Sequence, residues 1–415
     1  MKYRHRVLGY LFFLAIITYV DRVCISVAGT AIKQDLDLDF TQWGWVMGAF
    51  IIAYGLFEIP SGALGDRIGP RRVLTRIVSW WSGFTMLTGA VTNFWQMFVV
   101  RFLFGAGEAG AFPNASATIA RWFPLRERAR AQGFVWMASR LGGALAPVLV
   151  IPLQQAFGWR VSFLVFGVVG LVWAATWYLW FRDTPQEKAG VSAEERAEIA
   201  EGATSGGVHG RVPWRELLRH RNLWWIMLMY GTYSWSGYFY LTWLYLFLEN
   251  GRGYSASELI SFSWLPFVFG AIANLLGGAA SDALVKRIGL KWGRRLLGLG
   301  GLAASALFIA CAFGTQDKLW TVIFLALGYA GSDFMMPVAW AVCLDVGGRH
   351  VGAVTGAMNM AGQIGAFSTT VIFGYIVTAT GSYDAPLIPM IAMTSFAALL
   401  WLKIDPTKPL PSSAQ

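Results

Sequence analysis

Residues 104–113 read "FGAGEAGAFP" and residues 328–337 read "GYAGSDFMMP", which sets Pro113 and Pro337 224 residues apart. A second pair follows: "GFVWMASRLGG" (133–143) matches "GAMNMAGQIGA" (356–366), placing Gly133, Arg140 and Gly142 opposite Gly356, Gln363 and Gly365 at an offset of 223. A third is weaker, "GALGDRIGPRR" (62–72) against "GGAASDALVKRIG" (277–289), with Asp66 and Asp282 offset by 216. Near-constant offsets at three sites mark an internal duplication, and a duplication decides how everything between the motifs is read.

Both copies are made of apolar blocks. Of the 415 residues 56% are hydrophobic and only 13% charged, a membrane composition. A bilayer core ~30 Å thick needs roughly 20 apolar residues per helix. Twelve such blocks centre near Ile17, Ala53, Phe84, Ala106, Gly143, Val169, Ser234, Val268, Ala304, Ala330, Gln363 and Met393. Six spans per copy is an even number, so the copies share one orientation and form a parallel repeat. The expectation is an all-α membrane protein of twelve transmembrane helices in two six-helix bundles. Residues 1–181 form the first bundle, 182–220 a polar cytoplasmic linker with a short surface helix near Ala193 to Glu201, 221–404 the second bundle, and 405–415 a cytoplasmic tail.

The charge excess of +10 follows topology. With the N-terminus inside, cytoplasmic ends and loops carry 26 of the 33 Lys and Arg, while the outer loops carry Lys33, Arg160, Arg252 and Lys318. That is the positive-inside pattern, with both termini cytoplasmic, and it removes the case for nucleic acid. The first apolar run follows basic residues as a signal peptide does, yet continues through Asp21-Arg22 without a small-residue cleavage site, and reads as a retained span. Cys24, Cys311 and Cys343 lie far apart inside apolar segments and read as packing residues. No nucleophile–base set, phosphate loop or metal cluster points to an enzyme or a cofactor.

Three arginines remain inside spans: Arg22, Arg101 and Arg140. A charge at the bilayer centre costs roughly 2.5–3.5 kcal/mol, so each needs a partner or a task. Arg101 and Glu108, seven residues apart, share one face of the fourth span about 10.5 Å apart along its axis, too far to satisfy each other. Asp21 and Arg22 of the first span are the candidates, and a crossed arrangement is allowed in which Arg101 meets Asp21 while Glu108 faces Arg22 or the cavity. Arg140 either pairs with Glu58 or faces the cavity to support a second anionic group. Asp333, one residue off the repeat equivalent of Glu108, has no Lys or Arg within any second-half span.

The second half offers a different surface. "YGTYSWSGYFYLTW" (230–243) is rich in hydroxyl and indole groups; Tyr230, Tyr233, Trp340, Asn359 and Gln363 are candidates to hydrogen-bond a polyhydroxy or carboxylate substrate. Tyr240, Trp243 and Tyr245 read instead as an interfacial aromatic belt. The loop "GDRIGPRR" reads as a cytoplasmic latch, with Asp66, Arg67 and Arg71, and Asp282 of its counterpart, as gate residues.

Twelve spans in a six-plus-six parallel repeat, with "GALGDRIGPRR" matching a Gly-x-Leu-x-Asp-Arg-x-Gly-x-Arg-Arg loop, resemble the major facilitator superfamily. The adjacent Asp21-Arg22 and "RFLFGAGEAGAFP" (101–113) resemble its anion:cation symporter family, which includes sugar-acid and organic-anion proton symporters. That resemblance implies Glu108 as a coupling carboxylate, Asp21 as a second protonatable site, Arg22 as a substrate-carboxylate contact and Arg101 as a residue that tunes the pair within the substrate site. It also implies substrate contacts for Tyr54 and Asn359. The family does not usually carry an acid at the position of Glu58. The expected protein is a monomeric, multi-pass transporter of the inner (plasma) membrane that imports an organic anion with a proton and works in a lipid bilayer. A proton-driven exporter of the same fold is disfavoured by "RLGGALAPVLVIP" (140–152), which has Ala146-Pro147 where exporters have Gly-Pro followed by glycines. A transporter-like sensor ranks last, because the linker and tail leave no output domain.

Overall fold

The computed structural model describes residues 2–200, 214–347 and 351–408. The chain divides into two compact units, Met1–Leu38 with Trp45–Val208, and Asp39–Gly44 with His209–Gln415. Among the described residues regular structure is entirely helical, as a chain in lipid requires, because a helix satisfies its own backbone polar groups. Eight helical stretches among them are long and apolar enough to cross a membrane, from Tyr3–Val27 to Val354–Thr380.

The first unit is built from α1 (Tyr3–Val27), α2 (Gly29–Asp35), α3 (Phe40–Ile68), α4 (Pro70–Thr88), α5 (Phe94–Glu108), α6 (Ala111–Trp122), α7 (Leu125–Phe157), α8 (Trp159–Trp180) and α9 (Ala193–Ala200). Lipid tails are as apolar as leucine, so helices associate through close packing and hydrogen bonds. At Gly142 of α7 a Cβ would lie 2.6 Å from the Ile16 carbonyl oxygen and 2.9 Å from Tyr19 Cβ, so only glycine lets α7 approach α1 this closely. Across α1 and α8, Trp173 Nε1 donates to the Tyr10 carbonyl at 3.0 Å and the Tyr10 ring stacks on Trp180.

The linker helix α9 is docked, where a surface helix is expected. Glu195 is 3% exposed and accepts the backbone N–H groups of Tyr3 and Arg4 at 3.1 and 2.9 Å, satisfying donors that the start of α1 leaves open. Glu198 accepts Lys2 and Arg4, and Arg4 also reaches Glu127 of α7 at 3.0 Å. Hydrogen bonds from Lys2 and then Arg4 hold the Glu198 carboxyl down to about 2. The contribution of this contact is therefore present above the ordinary glutamate range and is lost only as pH falls towards 2.

The second unit comprises α10 (Trp214–Leu217), α11 (Arg221–Gly237), α12 (Phe239–Thr242), α13 (Leu244–Leu246), a π turn (Phe247–Gly251), α14 (Ala256–Phe262), α15 (Leu265–Ile288), α16 (Leu290–Phe313), α17 (Lys318–Gly347), α18 (Val351–Thr380) and α19 (Leu387–Leu400). The segment read as one seventh span is thus interrupted after Gly237 and again at Trp243. These interruptions turn its aromatic residues inward. Tyr240, Trp243 and Tyr245 are at most 1% exposed, which corrects their reading as an interfacial belt. Tyr240 Oη donates to the Leu325 carbonyl at 2.9 Å and Trp243 Nε1 to the Thr370 carbonyl at 3.1 Å. The polar tips of Tyr240 and Trp243 thus meet a backbone acceptor in place of interfacial water.

Arg252, expected in an outer loop, is buried and joins several elements. Its guanidinium donates to Asp384 Oδ1 at 2.6 Å, Thr321 Oγ1 at 3.3 Å and the carbonyls of Ala312 and Thr315 at 3.4 and 3.3 Å. Arg252→Ala strands Asp384 and is expected to destabilise the unit by roughly 3 kcal/mol, the low end for a broken buried pair, because the Asp384 side chain is 24% exposed. The measurement is the melting temperature in detergent, and an unchanged value would show that these ends are held by packing alone.

Candidate functional site

The first unit gathers four of the nominated charges, Asp21, Arg22, Arg101 and Glu108, in one cluster. Arg22 Nε donates to Glu108 Oε1 in a short ion pair joining α1 to the last residue of α5. Glu108 is fully buried, and its Oε2 has no hydrogen-bond partner among the described residues. Four rings surround the Arg22 guanidinium: Tyr54 at 4.6 Å, Phe50 at 5.2 Å, Tyr19 at 5.4 Å and Phe112 at 5.9 Å. Phe112 is itself stacked on Trp136 of α7, 4.9 Å between centroids and 1° from parallel.

Only the Glu108 half of the crossed arrangement closes as an ion pair. Arg101, 2% exposed, makes no ion pair or hydrogen bond among the described residues. Its guanidinium lies against Phe104 at 4.6 Å and Phe50 at 5.1 Å. Two desolvated cation–π contacts of about 1–2 kcal/mol each come close to offsetting the roughly 2.5–3.5 kcal/mol of placing that charge in the bilayer. Magnitude thus explains how a cation stays in the interior without a salt bridge.

Both Asp21 oxygens are buried without a hydrogen bond among the described residues, and the Trp81 indole lies beside the carboxylate. Arg101 and Glu108 act on Asp21 through space. Cys24, read as a packing residue, belongs to this cluster as well: it is fully buried three residues along α1 from Asp21, within electrostatic reach of Asp21 and Arg101.

A break in the backbone positions Glu108. The fourth span is not one helix, because α5 ends at Glu108, Ala109 is extended (ψ 135) and Gly110 takes φ 87, a left-handed conformation suited to glycine. The α6 helix restarts at Ala111. The motif read as an uninterrupted span therefore ends one helix at its carboxylate. Sequence reasoning passed over the signal, two glycines flanking Glu108 with Pro113 three residues past the second, because each is tolerated in a transmembrane helix.

The remaining nominees of this unit are more dispersed. Arg140 is 9% exposed on α7, and Glu58 is half-buried on α3. Arg71 serves the end of α8: its guanidinium donates to the Tyr178 carbonyl at 2.7 and 2.9 Å, and its backbone N–H to Asp183 at 2.8 Å. The side chains of the other gate nominees, Asp66, Arg67 and Asp282, lie outside the described residues.

The second unit presents uncharged polar groups. The Tyr230 and Tyr233 rings of α11 lie 5.2 Å apart, and Tyr238 Oη donates to Gln363 Oε1 of α18 at 3.3 Å. Trp340 of α17 packs against the apolar cluster containing both tyrosines, and its Nε1 has no hydrogen-bond partner among the described residues. Asn359 is half-buried one helical turn before Gln363. Asp333 is fully buried on α17, its Oδ2 facing Gly270, where a Cβ would lie 2.6 Å away.

Residues 11–370 match the family model described as Major Facilitator Superfamily. The chain belongs to that superfamily. It is therefore a multi-pass membrane transporter and not an enzyme. Its relatives include the "probable sulfoacetate transporter SauU" of Cupriavidus necator, 36% identical over 409 residues, covering 98% of this chain and 95% of the relative. The "probable L-galactonate transporter" of Escherichia coli is 31% identical (94% and 87% covered), and the "probable galactarate/D-glucarate transporter GudP" of Bacillus subtilis is also 31% identical (94% and 89%). Among solved structures, a bacterial homolog of the human lysosomal transporter Spinster superposes with a TM-score of 0.78 at 21% identity, covering 97% of both chains, a likeness of fold.

The aromatic lining yields a prediction. The Phe50 ring lies against both guanidinium groups, 5.2 Å from Arg22 and 5.1 Å from Arg101. Phe50→Leu keeps an apolar side chain but removes both cation–π contacts, and is expected to cost about 2–4 kcal/mol, read as a lower melting temperature in detergent. A melt indistinguishable from wild type would mean that the rings are only neighbours of the two cations.

Proposed function

We propose that the protein imports a small organic anion together with a proton by alternating access. The observation that carries this reading is the ion pair of Arg22 with the fully buried Glu108 inside its aromatic lining. A substrate anion competes with Glu108 for Arg22. A carboxylate deprived of its cation in a low-dielectric site takes up a proton more readily, so substrate and proton affinities become linked. Asp21 is the second protonatable group, Arg101 tunes both carboxylates through space, and Arg140 supports a further anionic group. Tyr54 lines the Arg22 pocket. Tyr230, Tyr233, Trp340, Asn359 and Gln363 offer hydrogen bonds to the rest of the substrate, and Asp66, Arg67, Arg71 and Asp282 act at the cytoplasmic gate.

The architecture proposed with this function has twelve spans in two six-helix bundles, 1–181 and 221–404, related as a parallel repeat, with linker 182–220 and tail 405–415 cytoplasmic. The arginine distribution supports that topology, and an inner (plasma) membrane location as a monomer accompanies it. Relatives named for sulfoacetate, L-galactonate and galactarate or glucarate support an anionic substrate with a carboxylate or sulfonate head.

The test is uptake into proteoliposomes across sulfoacetate, L-galactonate, galactarate and D-glucarate, with and without an inward proton gradient. Accumulation of at least one anion driven by the gradient is expected, and uptake indifferent to it would sink the symport claim. Glu108→Gln is expected to exchange substrate across the membrane without accumulating it. Retained accumulation in that variant would remove Glu108 from the coupling role.

A further inference from the structure

We infer that Asn114 is a positioning residue whose side-chain amide fixes where Glu108 stands against Arg22. The inference rests on the symport reading above only in its transport arm.

The break between α5 and α6 lies next to Glu108. Glu108 is two residues from Gly110, whose φ of 87 ends one helix and allows the next to start. The Gly110 carbonyl receives two donors from one residue: the Asn114 backbone N–H at 3.1 Å and Asn114 Nδ2 at 2.8 Å. The same Nδ2 donates at 3.2 Å to the carbonyl of Ser61 on α3. Ser61 follows Pro60, whose ring removes a backbone donor from α3 and loosens its ladder there. One amide thus ties the break in the fourth span to the weak point of the second.

The tie closes a ring. Phe50 and Tyr54 of α3 hold Arg22, Arg22 holds Glu108, Glu108 leads into Gly110, and Asn114 returns Gly110 to Ser61 of α3. A displacement at the break therefore moves Glu108 relative to Arg22. The choice of residue is itself informative: Asn114 is 1% exposed and its Oδ1 has no donor among the described residues. A buried orphan acceptor is costly, and an apolar residue of similar size avoids that cost. What asparagine adds is the anchored Nδ2 amino group.

The groups acting on Glu108 are Arg22 and Asp21 of α1, Tyr54 of α3 and Arg101 of α5. The α4 helix carries charge only at Arg71, Arg72 and Arg76 in its first turns, α6 only at Arg121 near its end, and α7 beyond Arg130 only at Arg140. Asn114 adds no charge to this set, so its influence on Glu108 acts through geometry.

The test reads the Glu108 proton directly. The infrared carbonyl stretch of a protonated carboxylic acid, assigned to Glu108 by its loss in Glu108→Gln, is titrated against pH in purified protein. Asn114→Leu, which loosens the Glu108–Arg22 geometry, is expected to move the midpoint up by about half a pH unit or more, roughly a threefold change in proton affinity. If that variant does not fold, Asn114→Ser, which removes the same amide, is read in the same way. An unmoved midpoint in a folded variant, or no Glu108 band at any pH, overturns the proposal. In a Glu108→Gln background, Asn114→Leu should add no further change to the pH profile of substrate exchange; a persisting change would assign Asn114 to general stability and overturn it as well. A moved midpoint in a protein whose uptake ignores the proton gradient would keep the positioning role and reject the symport reading.

Discussion

One ion pair, Arg22 to the fully buried Glu108, organises the first unit. Each charge is costly at this depth, so pairing them draws together the helices that carry them at a point with little water to weaken the attraction. The aromatic lining follows from the same constraint. Rings at 4.6 to 5.9 Å from the guanidinium replace its hydration, and the Tyr54 hydroxyl lies within hydrogen-bonding reach of it. The break at Gly110 follows as well, because it lets the carboxylate sit at a helix end and not within a regular turn.

The contrast between the two arginines is informative. Arg22 has a carboxylate and four rings, whereas Arg101 has two rings and only through-space attraction to Glu108, Cys24 and Asp21. A cation held by ring quadrupoles alone has little to lose when an anion arrives. A cation already paired must exchange one anion for another. In the symport we propose, that exchange is the physical requirement for coupling, and the proposal assigns it to Arg22.

Much of the architecture was legible in the order of residues. Apolar blocks separated by basic loops are what a bilayer demands of a chain, and the Pro113/Pro337 and Arg140/Gln363 correspondences survive in the letters because each copy keeps its glycines and prolines. The charged site was legible for a related reason: the charges within spans at Asp21, Arg22, Arg101, Glu108 and Arg140 stand out against an apolar background. The aromatic lining did not stand out. Phe50, Phe104 and Phe112 are three of 29 phenylalanines, and nothing local separates a ring that faces a guanidinium from one that faces lipid. The misread belt has the same origin, since Tyr240, Trp243 and Tyr245 have the composition of an interface and the burial of a core.

By itself the sequence determined which segments are apolar, that motifs recur in them at near-constant offsets, and which charges had to be accommodated within them, because hydrophobic length and the cost of a buried charge depend only on residue type. The tertiary structure decided the partners. Helical spacing says which side chains share a face, but rotamers, a left-handed glycine and the approach of neighbouring helices determine that Glu108 takes Arg22, that Arg101 and Asp21 stay apart, and that Asn114 fastens the break to Ser61. Each of these is a distance between residues remote in the chain, and no local pattern encodes it.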